Sequence, residues 1–361
     1  MTSALVFSML PADDGDCLLV QATTAAGAAT TIMIDGGRGR SYATWKPYLE
    51  RLLGDRQVVD LLVVTHIDAD HIEGVLSFLK DPKRNVVVSE VWFNGHAQVL
   101  AVQQRQADIE TFSPKQADDL SRTLKDLGIT WNRLVAGGPI CRDTVEEPVS
   151  IGLFEISVVT PSGTKLAAVA SRWDALIAEA SNTNAVTAPS GLEVFGAPTI
   201  DVEELAASRD IPDRAAPNGS SIGLFIRANG HKMLLTGDCH ADDLAEGLQG
   251  LGANNELPLE LSIMKVSHHG AEKNTSKEAL ALVRSQVYAF STDGQHRDHP
   301  DASVVAKILK SSSVRKVLAF NYCSKRSAVW EGEDLQSRHN YSILMPERDS
   351  PGSISITLQQ P

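Results

Sequence analysis

The sequence predicts an α/β fold in which two β-sheets pack face to face with helices outside, an αββα sandwich. Three observations predict it. Strand-rich segments at the two ends of the chain flank a more polar, helical middle; strands in both segments run directly into acidic or histidine residues; and helical stretches follow several of those strands. Groups delivered from both halves must then converge at one edge of the sandwich.

The composition allows such a fold. The chain has 361 residues, 43% hydrophobic and 22% charged, enough apolar surface for a large core and too much for a disordered chain. We read residues 1–361 as one domain with two insertions, 97–134 and 163–216. No run of roughly 18 apolar residues is present, so no membrane partner is expected. The N-terminus lacks a basic n-region and reaches acidic residues at Asp13, so it does not read as a secretory signal. The four cysteines, Cys17, Cys141, Cys239 and Cys323, are scattered without a CxxC, which points to a reducing, cytoplasmic setting and excludes a cysteine-built zinc site. Lys and Arg number 33 against 45 Asp and Glu, a net charge of −12 that disfavours a long nucleic-acid track and leaves room for a local basic groove.

Each element follows from its pattern. Residues 4–10 and 17–22 are short apolar strands, and the β-branched strand at 30–34 ends on Asp35-Gly36-Gly37. Residues 42–53 carry Trp45, Tyr48, Leu49 and Leu52 on one helical face. Residues 60–65 form a continuous apolar run, the mark of a strand buried on both faces. A helix at 72–79 and a strand at 86–93 follow. The first insertion is polar and Gln-rich with a helical patch at 117–127. The second is Ala-rich, with a helix at 173–180 and Pro198 and Pro212 marking loops. Both read as insertions or lids. In the last third, strands fall at 221–227, 231–236, 261–266, 287–291 and 317–321, with helices at 242–248, 277–283 and 302–309. The alternating stretch 353–358 is a closing strand.

The chemistry concentrates at strand exits. His66, Asp68, Asp70 and His71 place four metal-competent side chains within six residues, immediately after the buried strand. Alternation lets His66 and Asp68 point the same way, and a turn after Asp68 brings Asp70 and His71 to a second position, so two adjacent cations can be addressed. A polar turn with Asp70 as helix cap accounts for one aspartate but not for the two histidines. Thr236-Gly237-Asp238 ends a second strand on a carboxylate able to bridge two ions. Lys265-Val266-Ser267-His268-His269-Gly270 ends a third on paired histidines.

Together the HxDxDH segment, the TGD acid and the KVxHHG pair resemble the metallo-β-lactamase superfamily, and within it the hydrolase domain of the ComEC DNA-uptake protein and its soluble relatives. The likeness covers roughly residues 4–95 and 216–325. It implies a metallo-β-lactamase-type sandwich with helical insertions. It also implies divalent metal, zinc or manganese, as one or two ions on His66, Asp68, Asp70, His71, Asp238 and His269. The expected division places Asp70, His71, Asp238 and one of His268 and His269 on one ion, with His66 and Asp68 at the other; spacing does not say which of the pair is the ligand. The chain departs from the superfamily in having Asp68 where a second histidine is usual. It also lacks an obvious third histidine, since His96 reads as a loop residue and His231 as a hairpin residue. Asn218 is the better substitute, giving an amide oxygen to metal or substrate.

The implied activity is hydrolysis of a phosphodiester, nucleic acid or nucleotide, by a metal-activated water. Asp70, His268 and His299 are the candidate catalytic groups, with His268 favoured as the acid for the leaving group. Asp35 is expected to accept from a ligand histidine. Lys273, Arg297 and His299, with His296, are candidates for phosphate contact; Arg38 and Arg40 lie near the Asp35 turn. Two alternatives stay open: an amide or lactone hydrolase of the same fold, and a non-catalytic sensor or partner subunit that keeps the fold. Substrate, oligomeric state and any protein partner are not readable from the residues.

Overall fold

The apolar run ending at Val64 is buried on both faces because it lies between two layers. Leu61 and Val63 face the core between the sheets, whereas Leu62 and Val64 face helices on the outside. The same division runs through the chain, whose computed structural model describes residues 3–104, 115–170, 200–295, 297–348 and 350–359. The strands are β1 (Ala4–Met9), β2 (Leu18–Thr23), β3 (Ala29–Ile34), β4 (Val58–Val59), β5 (Leu61–Val64), β6 (Val87–Val88), β7 (Val91–Phe93) and β8 (Val149–Ile151). They continue as β9 (Phe154–Thr160), β10 (Gly223–Ala228), β11 (His231–Leu235), β12 (Leu259–Lys265), β13 (Val283–Phe290), β14 (Lys316–Phe320), β15 (Tyr341–Leu344) and β16 (Ile354–Gln359).

One sheet has the order β16-β1-β2-β3-β5-β7, the other β15-β14-β13-β12-β11-β10-β9-β8, and β4 pairs with β6. Leu5, Phe7, Val20 and Ile32 of the first sheet share a core with Ile156, Leu224, Met233 and Ile263 of the second. The helices Tyr42–Leu53, Ala69–Lys80 and Lys115–Asp126 cover the outer face of the first sheet, through Trp45, Phe78 and Leu120. Ala241–Gly250 and Ala302–Lys310 cover the second through Leu244 and Val305. Each such side chain, fully buried, contributes roughly 1.5–3 kcal/mol. The architecture is the αββα sandwich.

Several elements differ from the sequence reading. The expected strand at 86–93 is two short strands, because the chain leaves β6 to pair β7 beside β5. The alternating β9 and its edge partner β8 went unread, although Phe154, Ile156 and Val158 share one face. The four-residue edge strand β15 has too little pattern to read. The closing strand β16 pairs antiparallel with β1, so the last strand completes the first sheet. The described part of 97–134 is no lid: Ala117, Leu120 and Leu124 are buried in the first layer. The expected helix at 173–180 lies outside the described residues. Among the described residues no helix is long and apolar enough to cross a membrane.

Candidate metal centre

Strand β5 carries the chain to Thr65 and His66, and the helix Ala69–Lys80 begins within the motif itself. Asp68, not Asp70, occupies the N-cap position, with extended backbone and no capping hydrogen bond from its side chain. Asp70 and His71 lie in the helix's first turn, where a carboxylate is favoured by the helix dipole. The helix approaches the Asp35-Gly36-Gly37 turn so closely that a Cβ on Gly74 would fall 1.8 Å from Gly36 O. Gly36 N donates to His71 O at 2.9 Å and Trp45 Nε1 donates to Gly36 O at 2.8 Å, holding the turn against both helices. On the other side, a Cβ on Gly15 would lie 1.8 Å from Asp70 O.

The tautomers of four histidines follow from their neighbours. Asp35 Oδ2 accepts from His71 Nδ1 at 2.8 Å and from Thr65 Oγ1 at 2.7 Å. With its proton given to Asp35, Thr65 Oγ1 can only accept from His66 Nδ1, at 3.0 Å, and Ser221 Oγ shares that nitrogen at 3.1 Å. His269 Nδ1 donates to Ser291 O at 2.7 Å. His268 Nδ1 lies 2.9 Å from Asn274 Oδ1, while Asn274 Nδ2 faces the acceptors Asp213 Oδ2, Asp238 O and Cys239 O. Every ring commits Nδ1 outward and presents Nε2 to one centre.

Asp238 Oδ2 sits at that centre. It lies 3.3 Å from His71 Nε2, 3.5 Å from His268 Nε2, 3.8 Å from His269 Nε2 and 3.9 Å from His66 Nε2. Asp70 Oδ2 is 3.9 Å from His269 Nε2, and the part-exposed Asp68 places Oδ2 3.6 Å from His66 Nε2. Among the described residues three compact donor groups share His71: His66/His71/Asp238, Asp70/His71/His269 and, on its outer side, Asp16/Asp35/His71. His66 Nε2, His71 Nε2, His269 Nε2, Asp70 Oδ2 and Asp238 Oδ1 are buried without a hydrogen-bond partner. Five such atoms within one cluster of histidines and carboxylates fit divalent cations, which would satisfy them. Burial alone would raise Asp238, but His268, His71 and His269 hold it well below the usual carboxylate range. Burial would lower His71, but Asp238 and Asp35 carry it well above the ordinary imidazole value. The cluster therefore favours positive charge at its middle.

Backbone strain marks the histidine pair. His268 and His269 adopt φ of 47° and 56°, the left-handed region that side chains with a Cβ rarely enter. A Cβ on Gly270, at φ 90°, would lie 2.7 Å from Pro300 Cβ. These three residues turn the exit of β12 so that both rings face Asp238. The pair is thereby distinguished: His269 lies in a donor group with Asp70, whereas His268 stands across Asp238 from it.

Sequence reading missed the support behind His269. Asp16, fully buried, accepts from the buried Lys265 Nζ at 2.7 Å and turns Oδ1 to 3.3 Å from His269 Nδ1. The signal available was an acidic run, Asp13, Asp14 and Asp16, between two apolar strands. The same run claims the arginines: Asp14 holds Arg38 through both carboxylate oxygens, and Asp13 holds Arg40. They are therefore not free to meet a substrate. Arg38 outweighs burial and lowers Asp14 below its ordinary 3.8. Its contribution is complete above about pH 4 and disappears as pH falls through the lowered value. Asp14→Asn should cost about 1.5–3 kcal/mol at pH 7 and progressively less below pH 4. Urea melts at pH 7 and pH 3 check this, and an equal deficit at both would count against it.

The remaining candidates divide. Arg297, exposed, donates from Nη1 to His268 Nε2 at 3.0 Å, and the His299 ring centroid is 5.5 Å from that of His268. His299 Nδ1 is 3.5 Å from Asp301 Oδ2. Asn218 is buried, donates to Asp213 Oδ2 at 2.6 Å and keeps Oδ1 unpartnered. The Lys273 side chain is exposed, and its carbonyl accepts from Asp213 N. His231 follows the Asn229-Gly230 hairpin turn and bonds Ser262 and Gln359, away from the centre. His96 opens the helix His96–Gln104. His296 lies outside the described residues.

Residues 10–138, which contain the acidic run, Asp35 and the whole His66–His71 motif, match the family described as the metallo-beta-lactamase superfamily. This stretch belongs to the metallo-β-lactamase superfamily. The metallo-β-lactamase match stops short of Asp238 and the histidine pair, which the second sheet brings to the same centre. ComE operon protein 3 of Bacillus subtilis (strain 168) is 27% identical over 116 residues, which is 32% of this chain and 14% of that protein. The chain thus spans a small fraction of that relative's length. Zn(2+)-bound PqqB from Methylobacterium extorquens aligns with a TM-score of 0.41 and 7% identity, over 98% of this chain and 99% of that one. A long form RNase Z from yeast aligns at 0.34 and 9%, over 96% and 45%. At such scores neither solved structure bears on the site.

Asp35 is the carboxylate behind His71. It accepts from Thr65 N at 2.8 Å as well as from His71, so an amide there would set a donor against one of them. Asp35→Asn should weaken divalent-metal binding about 10–100-fold. Competition with a chromophoric chelator measures it, and wild-type affinity in the variant would exclude the orienting role.

Proposed function

We propose that the chain is a metal-dependent phosphodiesterase, using zinc or manganese. The observation that carries it is the set of histidines whose Nδ1 atoms are anchored outward while Nε2 atoms surround Asp238. Asp70, His71 and His269 would hold one ion and His66 with Asp68 the other, with Asp238 between them. Divalent ions held there supply Lewis acidity toward a phosphoryl oxygen and acidify a water.

The chain's own residues suit a phosphate more than a neutral amide. Arg297 stands at the rim, 3.0 Å from His268 Nε2, where its fixed charge offsets that of a non-bridging oxygen. Asn218 Oδ1 offers a buried acceptor. His268 Nε2 accepts from Arg297 and so carries no proton to give, and burial lowers that ring's affinity for a second one. The expectation that His268 is the acid therefore meets the wrong tautomer. His299, facing Asp301, is the better proton source for a leaving oxygen.

The test is elemental analysis of purified protein together with turnover of bis-p-nitrophenyl phosphate, a cyclic nucleotide, an anilide and a lactone. Metal-dependent cleavage of the diesters alone supports the reading. Cleavage of the anilide or lactone alone would replace it with an amide or lactone hydrolase. Silence on all four with tight capture of a protein partner would favour the sensor.

A further inference from the structure

Asn274 lies in the short turn Glu272–Asn274, fully buried and absent from every motif named above. Its amide is fixed without ambiguity. Nδ2 faces three acceptors, Asp213 Oδ2 at 3.0 Å, Asp238 O at 3.0 Å and Cys239 O at 3.3 Å. Flipping it would set an oxygen against three oxygens. Oδ1 is therefore held toward His268 Nδ1 at 2.9 Å. A competing neighbour exists: Asn218 Nδ2, a donor, lies 3.3 Å from the same ring nitrogen and is itself held by Asp213 Oδ2 at 2.6 Å. Asp213 comes from the segment that leaves the second insertion, and its backbone N–H bonds Lys273 O. Two amides anchored on one carboxylate thus offer His268 Nδ1 opposite instructions, and the shorter contact decides.

We propose that Asn274 is a positioning residue of the centre: anchored by Asp213, it keeps the proton of His268 on Nδ1 and leaves Nε2 bare toward Asp238 and Arg297. The proposal rests on the phosphodiesterase reading only for its kinetic consequence. Without the Asn274 acceptor, the neighbour left at Nδ1 is the Asn218 donor. The proton then moves to Nε2, where Asp238 Oδ2 at 3.5 Å can accept it and Arg297 loses its acceptor.

The experiment is a ring-nitrogen NMR spectrum of metal-free, ¹⁵N-histidine-labelled full-length chain at mildly alkaline pH, with His268→Gln assigning the resonance. Wild type should show His268 with Nδ1 protonated. Asn274→Ala should move the majority to Nε2–H. Nδ1–H persisting as the majority in a folded Asn274→Ala overturns the proposal, as does a wild-type ring protonated on Nε2 alone. If Asn274→Ala does not fold, Asn218→Leu gives the reading: removing only the competing donor should leave Nδ1–H in place, and its loss overturns the proposal. In metal-loaded protein, Asn274→Ala should lower kcat for a model diester about tenfold with KM within twofold. A wild type that turns over no diester defeats the functional reading while the spectrum still decides the tautomer.

Discussion

Asp238→Ala is expected to lose bound divalent metal and diester hydrolysis together, with a fall in rate of about a hundredfold or more that added metal does not restore. Asp238 is buried, and one of its oxygens lies within 3.9 Å of the Nε2 atoms of four histidines. Among the described residues no other carboxylate lies within ion-pair reach of all four rings. Loss of a carboxylate that stands among four candidate ligand rings forfeits several kcal/mol of transition-state stabilisation, and each 1.36 kcal/mol is about a factor of ten. Metal content, diester turnover and a thermal melt measured on the same sample separate this from unfolding. Full metal stoichiometry in a folded Asp238→Ala would sink the assignment.

A chelator should leave the wild-type chain nearly silent on diesters, and zinc or manganese should each bring the rate back by at least about a hundredfold. The five buried donors without protein partners make the prediction: they have no function in the fold's own hydrogen bonding. Oxygen-rich sites accept manganese, while zinc binds more tightly wherever both are present. Dialysis against chelator, followed by titration of each metal against initial rate, measures it. A chelated chain that keeps its full rate would remove metal from the reaction.

Much of this was legible before any coordinates. The run at 60–65 shows a strand buried on both faces, because no polar residue interrupts it. His66, Asp68, Asp70 and His71 following it cannot all serve a helix cap. TGD and HHG each end an apolar run on groups that seek a ligand. Less was legible where the pattern was short or the partner distant. β15 is four residues long at an edge, and β16 alternates in a way that fits either sheet. The acidic run at Asp13, Asp14 and Asp16 was visible as charge. Its purpose was not, since Lys265 lies 249 positions beyond Asp16.

The sequence by itself determined the layered α/β class, the strand exits and the residue types of the centre, because periodicity and strand-end position are local properties. Only the tertiary structure decided which of two adjacent histidines joins Asp70, which nitrogen each ring presents, and which arginine reaches the histidines. Those choices depend on acceptors such as Asp35, Ser291 O and Asn274 Oδ1, and on the left-handed turn at His268 and His269. A tautomer is set by whichever atom stands across from a ring nitrogen. Here that atom lies one residue away for Thr65, six for Asn274 and 36 for Asp35. Pairing of neighbouring strands, β3 with β5 and β12 with β13, brings Asp35 and Ser291 O into reach, and the turn after β12 brings Asn274.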